Sequence, residues 1–243
     1  MHTTKLIYLE DFALLKSTSQ VVGSTTENDK DVVLLDETVF YPQGGGQPYD
    51  KGVIEGNTGK FLVEEVRFVD GIVKHMGTFE GEKFKAGDTV TCQVDGPRRK
   101  LHSRIHSAGH VVDMAVYASK LNLIPGKGYH FPDGPYVEYA GSLDGEDKEQ
   151  MKTQIEAECN KFVAEDRHTK LIFMPKEKMG EVCHHVPDYL PEGKPSRVVM
   201  YGDFGVPCGG THVSRLGEIG NIIIRKIKGA GENIRVAYDV NRE

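Results

Sequence analysis

The chain has 243 residues, 38% hydrophobic and 27% charged, with a formal net charge of −6 at pH 7. That is ordinary globular usage, enough for one large domain or two small ones, and it excludes a global attraction to nucleic acid, so any such binding needs a local basic surface. No apolar run approaches the roughly 18 residues that span a bilayer, and the opening MHTTKLIYLEDF is acidic where a secretory signal is apolar. The four cysteines, Cys92, Cys159, Cys183 and Cys208, are widely spaced without a C-x-x-C. They do not form a disulfide framework, and the expectation is a cytoplasmic protein with no membrane association.

In chain order, residues 1–95 read as all-β. KLIYLE, DVVLLDETVF, KFLVEEVRFV and DTVTCQV are short β-branched or alternating runs separated by turn clusters such as GNTGK and EGEKFKAGD, which suits a small barrel. Within this region FYPQGGGQPYDKG, residues 40–52, places Gly44, Gly45 and Gly46 in succession, a backbone that approaches a ligand closely, flanked by Gln43 and Gln47 as side-chain hydrogen-bonding groups. It is not a nucleotide P-loop, because no G-K-[ST] follows.

At Asp95-Gly96-Pro97 the character changes. Leu101, Ile105, Ala108, Val112 and Ala115 follow helical spacing to about Lys120, so the natural division is a β domain over 1–95 and a second domain over 96–243. A second helix is expected from about Asp144 to His168, with Met151, Ile155, Phe162 and Val163 toward the core. KGYHFPDG, residues 127–134, reads as a loop holding Tyr129 and His130. YVEYA, KLIFM, SRVVMY, GNIIIRKIK and NIRVAYD read as strands without a regular βαβα alternation. The second half is therefore α+β, an antiparallel sheet with helices on one face. Two basic groups stand out, Arg98, Arg99, Lys100 and Arg104, and then Arg225, Lys226, Lys228 and Arg235.

Metal chemistry is written in two distant places. His102 and His106 stand four apart in HSRIHSAGH, and Cys208 and His212 stand four apart in PCGGTHV. Imidazoles at i and i+4 lie on one helix face, and two glycines let a thiolate and an imidazole converge, which supplies the nitrogen and sulfur donors of a tetrahedral zinc site. His110 continues the same stripe, and spacing alone does not choose the helix pair. Four protein ligands are usual for a closed structural site, whereas a hydrolytic zinc keeps a position for water. No H-E-x-x-H is present, so a helix-borne glutamate base is absent. Cys183-His184-His185 lacks a partner at ligand spacing.

FYPQGGGQP, HSRIHS, GDFGVPCGGTHV and GEIGNIIIRKIKGAGENIRVAY together resemble the AlaX alanyl-tRNA editing proteins in their medium-length form, freestanding relatives of the editing domain of alanyl-tRNA synthetase. The resemblance covers nearly the whole chain. It implies an N-terminal β-barrel followed by an editing-type α+β domain, no aminoacylation domain and no extended C-terminal domain. It also implies zinc held by His102, His106, Cys208 and His212, with His110 outside. The implied reaction is hydrolysis of the ester joining serine chiefly, and glycine, to tRNA(Ala), a second sieve for amino acids that an alanine pocket rejects poorly. In this reading His106 and Gln47 are catalytic; Gly44, Gly45, Gly46, Gln47 and Thr211 bind the aminoacyl end; Arg98, Arg99, Lys100, Arg225 and Lys226 meet the tRNA backbone. The competing expectations are a zinc-stabilised RNA-binding module without catalysis and a zinc hydrolase of another small ester.

Overall fold

The computed structural model describes residues 3–143, 145, 147–229 and 233–241, and the backbone of Ala230. The chain forms two compact units, Met1–Leu101 and His102–Glu243. The first unit contains β1 (Lys5–Leu6), β2 (Lys16–Glu27), β3 (Lys30–Leu35), β4 (Glu37–Thr38), β5 (Gly52–Glu55), β6 (Gly59–Val69), β7 (Ile72–Gly81) and β8 (Thr89–Val94). Six of them close an antiparallel barrel in the order β2-β3-β7-β6-β5-β8. Alternation drives it: along β8 Val90, Cys92 and Val94 are buried between more exposed neighbours, and they meet Leu35, Phe40 and Phe61 in the barrel core. Register shifts between Val21 and Gly23 and between Val63 and Glu65 mark bulges that bend the strands into closure.

The expected strands KFLVEEVRFV and DTVTCQV correspond to β6 and β8, and DVVLLDETVF to β3 and β4. KLIYLE pairs only over Lys5–Leu6, then turns into a 3-10 segment at Ile7–Leu9. Strands β2, β5 and β7 are additions. The β6–β7 hairpin turns at Asp70-Gly71, where φ is 50° and 83°, the Asp-Gly signal of a type I′ turn.

Helix α1 (Gly96–Ala118) starts in the first unit and continues into the second. Asp95 accepts from the Arg98 N–H at 3.0 Å, capping the helix with Pro97 in its first turn. The second unit continues with β9 (Ile124–Tyr129), β10 (Tyr136–Ala140), α2 (Lys148–Glu165), β11 (Thr169–Pro175), β12 (Pro195–Tyr201), β13 (Phe204–Pro207), β14 (Ile222–Ala230) and β15 (Asn233–Val240). The fold is α+β, as expected, but the strands divide into two antiparallel sheets, β14-β15-β10-β9 and β11-β12-β13. The KGYHFPDG loop loses its first residues to β9. Asp147 caps α2 by accepting from the Glu149 and Gln150 N–H groups; the expected start at Asp144 lies outside the described residues.

Side chains tie these layers together. Asn160 on α2 donates to the Ile222 carbonyl and accepts from its N–H, while Glu156 accepts from the Ile224 N–H. α2 is thereby stitched to the edge of the four-stranded sheet. The Cys159 thiol reaches the Val111 carbonyl of α1 at 3.8 Å. Among the described residues no helix is long and apolar enough to cross a membrane.

Candidate metal centre

One helical face and one loop make the site. His106 and His110 lie one turn apart on α1 with ring centroids 4.9 Å apart, and His212 approaches both, at 4.7 and 5.1 Å. His106 Nε2 is 3.4 Å from Cys208 Sγ. The ligating atoms of His106, His110, Cys208 and His212 all lie within 4.8 Å of one another. A tetrahedral zinc with nitrogen and thiolate ligands separates its donors by roughly 3.5 Å, so the spacing suits that ion. His110 Nε2 is buried and has no hydrogen-bond partner among the described residues, the condition of a nitrogen reserved for a metal.

The loop carrying Cys208 and His212 is held from β12. Arg197, itself buried, donates its Nε to the Cys208 carbonyl at 2.7 Å and a terminal nitrogen to the Gly210 carbonyl, and its own carbonyl accepts from the Cys208 N–H. The Gly210 N–H points at Cys208 Sγ, 3.3 Å away. His212 Nδ1 is engaged by the Tyr201 hydroxyl at 3.0 Å, with Ser107 Oγ at 3.4 Å, so ligation falls to Nε2. Such outer hydrogen bonds fix the tautomer and orientation of a ligating imidazole.

Electrostatics favour neutral donors. Burial, then the neighbouring imidazoles, pushes His106 and His212 well below the usual histidine value. His110 is pushed down to about 3 by burial, with His130 and Arg197 adding repulsion. Burial raises the Cys208 thiol, opposed by the Arg197 cation and the Gly210 N–H. An imidazole that stays neutral keeps its lone pair for a cation, and a cation in turn favours the thiolate.

The structure differs from the expected ligand set in one member: the helix pair facing Cys208 and His212 is His106 and His110. His102 is buried one turn earlier and is not in that group. The three histidines share a stripe, and only the position of the Cys208 loop along α1 selects two of them. Thr211, expected at the substrate, is fully buried, and its hydroxyl meets Ser103 Oγ at 2.8 Å, a link from loop to helix.

In the first unit Gly44–Gln47 closes a tight turn, with Gln47 N–H donating to the Gly44 carbonyl at 2.8 Å and Gly44 N–H to the Gln47 carbonyl at 3.2 Å. Gly45 and Gly46, at φ 52° and 76°, occupy the left-handed region that a side chain disfavours. The Gln47 side chain is buried. Arg99, expected as a tRNA contact, is buried as well: it ion-pairs with Asp50 and donates to the Phe12 and Val39 carbonyls, which keeps it from a phosphate. Arg98 is partly exposed and packs over Tyr49, while Lys100, Arg225 and Lys226 are exposed, Arg225 donating to the Tyr238 and Pro135 carbonyls. His184 pairs with Asp113 at 3.3 Å and Cys183 joins a small apolar cluster, and neither belongs to the metal group. Sequence reasoning set His110 aside and missed Arg197, Ser107, Tyr201 and Tyr238; the serine alone had a local signal, its place between two histidines.

Residues 3–98 match the family model described as tRNA synthetases class II (A), and residues 196–236 match the threonyl and alanyl tRNA synthetase second additional domain. The chain is 35% identical over 207 residues to an alanine–tRNA ligase of Methanothrix thermoacetophila, covering 79% of this chain and 21% of that protein. It is 31% identical over 232 residues to the alanyl-tRNA editing protein AlaX-L of Pyrococcus horikoshii, and spans 55% of that relative's length. With the alanyl-tRNA editing protein AlaX-M of the same organism the identity is 32% over 234 residues, 94% of this chain and 92% of the relative. A match that runs almost end to end through both the barrel and the histidine–cysteine centre shows that this chain belongs to the AlaX family of alanyl-tRNA editing proteins.

Proposed function

We propose that this chain hydrolyses the ester bond of mischarged tRNA(Ala) in trans, removing serine chiefly and glycine as well, at a zinc centre formed by His106, His110, Cys208 and His212. The observation that carries the reading is the convergence of three imidazoles and one thiol within 4.8 Å, in a chain whose relatives bear the name of alanyl-tRNA editing proteins. Zinc bound there would supply a Lewis acid for the carbonyl or for water. The protein's part is to hold the donors. Arg197 keeps Cys208 in its loop, Tyr201 and Ser107 hold the His212 ring, and the Ser103–Thr211 pair locks the loop to α1. An aminoacyl ester is already activated, so orientation accounts for much of the acceleration and a strong protein base is not required.

The glycine turn at Gly44–Gly46 is assigned to the aminoacyl end, with buried Gln47 supporting the turn rather than meeting the substrate. Lys100, Arg98, Arg225 and Lys226 are assigned to the tRNA backbone, and Arg99 is not. The reading places the protein in the cytoplasm, where charged tRNA is found.

The test is deacylation of Ser-tRNA(Ala), Gly-tRNA(Ala) and Ala-tRNA(Ala) with zinc quantified in each sample. His110→Ala and Cys208→Ala should lose zinc and the hydrolysis of Ser-tRNA(Ala) together, while His102→Ala keeps the metal. Loss of zinc in His102→Ala with retention in His110→Ala would reverse the ligand assignment. Stable zinc with no cleavage of any of the three substrates would favour the binding-module reading.

A further inference from the structure

We infer that His130 is a positioning residue for the metal centre: its imidazole, locked in one tautomer, is the wall that sets the plane of the His106 ring. This rests on the reading of the histidine–cysteine cluster as a metal site. His130 is buried and stacks face to face on His106, with centroids 4.3 Å apart and planes 20° from parallel, closer and more nearly parallel than either contact His106 makes with His110 or His212. It lies outside the four-residue cluster, so its part is mechanical.

The lock follows from hydrogen-bond bookkeeping. The Tyr238 hydroxyl lies 2.9 Å from the Ile105 carbonyl, which can only accept, so its single proton is directed there. His130 Nδ1, 2.7 Å from the same oxygen, must then be the protonated nitrogen and donate. His130 is thereby tied, through one tyrosine, to the residue next to His106 on α1. Two glycines make room for it. A Cβ on Gly109 would stand 2.4 Å from His130 Cε1, and one on Gly128 would stand 2.2 Å from His130 Nε2. Neither glycine has a positive φ, so neither is required by its backbone conformation. Each is explained by the space that the ring occupies. A ring confined by two backbones and one hydrogen bond cannot rotate, and a ligand stacked on it inherits that restriction.

The experiment compares zinc affinity and the visible spectrum of the cobalt(II)-substituted full chain for wild type, His130→Ala and the isosteric Tyr238→Phe, with circular dichroism as a check on folding. His130→Ala should bind zinc at least about tenfold more weakly, the loss typical of an outer-sphere partner, and should broaden or shift the cobalt bands. Tyr238→Phe keeps the stack but frees the ring, and should shift the bands with a smaller loss of affinity. A folded His130→Ala with wild-type affinity and spectrum overturns the inference. Should that variant fail to fold, an unchanged affinity and spectrum in Tyr238→Phe overturns it instead. Failure of wild type itself to bind either metal would refute the metal-site reading, a distinct result from failure of the variants alone.

Discussion

Gly109 sits in the middle of α1, where glycine costs about 1 kcal/mol relative to alanine. Replacing it should be helpful by propensity and harmful by packing, because the new methyl would meet His130 Cε1 at 2.4 Å and the Tyr238 hydroxyl at 2.8 Å. Overpacking of a rigid core costs about 1–3 kcal/mol, so packing wins. Gly109→Ala should lower the melting temperature by several degrees, and combining it with His130→Ala should remove the part of that penalty that comes from the imidazole, leaving the Tyr238 contact. A second buried histidine gives a pH signature. His75 is enclosed in the barrel between Thr38 and the Val33 carbonyl, and burial pushes it down to about 4, against the opposing hydrogen bond to Val33. The unfolded chain takes up this proton near pH 6.5 and the folded chain does not. Its stability contribution is therefore complete above about 6.5 and is lost as pH falls toward 4, by about 3 kcal/mol in all. Urea melts at pH 7 and pH 4.5 should show that loss in wild type and a smaller one in His75→Gln.

At the scale of elements, the first turn of α1 is bound to the barrel strands' connections through Arg99. Its guanidinium is clamped by Asp50, which also accepts from the Tyr41 N–H at 2.7 Å. A buried ion pair contributes little against an apolar replacement of both partners, but removing one partner strands the other charge. Asp50→Ala should cost about 3–5 kcal/mol in chemical denaturation, whereas Lys100→Ala, at the exposed neighbour of Arg99 on α1, should change stability by less than about 0.5 kcal/mol. The loop from Cys208 to His212 has its own clamp in Arg197. Arg197→Met should leave both sheets folded and weaken the proposed zinc binding by about tenfold or more, read by competition with a colorimetric chelator.

For the whole molecule, the separation into two units would make removal of the metal proposed above a selective perturbation. The centre lies entirely within the unit formed by residues 102–243. A ligand that binds only the folded state stabilises it in proportion to its binding free energy, so chelation should lower the unfolding transition of that unit while the barrel's is retained. Hydrogen exchange resolved by segment would show this as lost protection in α1 beyond residue 102 and in β12, with β3, β6 and β8 unchanged. Charge acts at this scale too. With a net charge of −6, the tRNA affinity proposed above must come from local cations. Lys226→Ala should weaken binding and reduce the slope of log affinity against log salt by about one, whereas Arg99→Met should leave the slope alone.

Alternation and punctuation made much of the fold legible without coordinates. Period-two runs marked β6 and β8 and helical spacing marked α1, because burial on one face leaves that record directly in a chain. Among the strands that went unread, β2 carries Thr18, Ser24, Thr25 and Thr26 at exposed positions, β5 is only four residues long, and β7 has His75 and Gly77 rather than apolar side chains at buried positions, so the pattern is weak. The sequence by itself determined the donor chemistry, three imidazoles and a thiol in two i, i+4 pairs, because ligand type and local spacing are properties of the chain. It could not choose between His102 and His110, nor see that Arg99 faces inward or that His130 leans on His106. The first depends on which turn of α1 the Cys208 loop comes to rest against, the second on Asp50 and the Phe12 and Val39 carbonyls, and the third on Tyr238 and two glycines, all contacts between separated segments that packing in three dimensions decides.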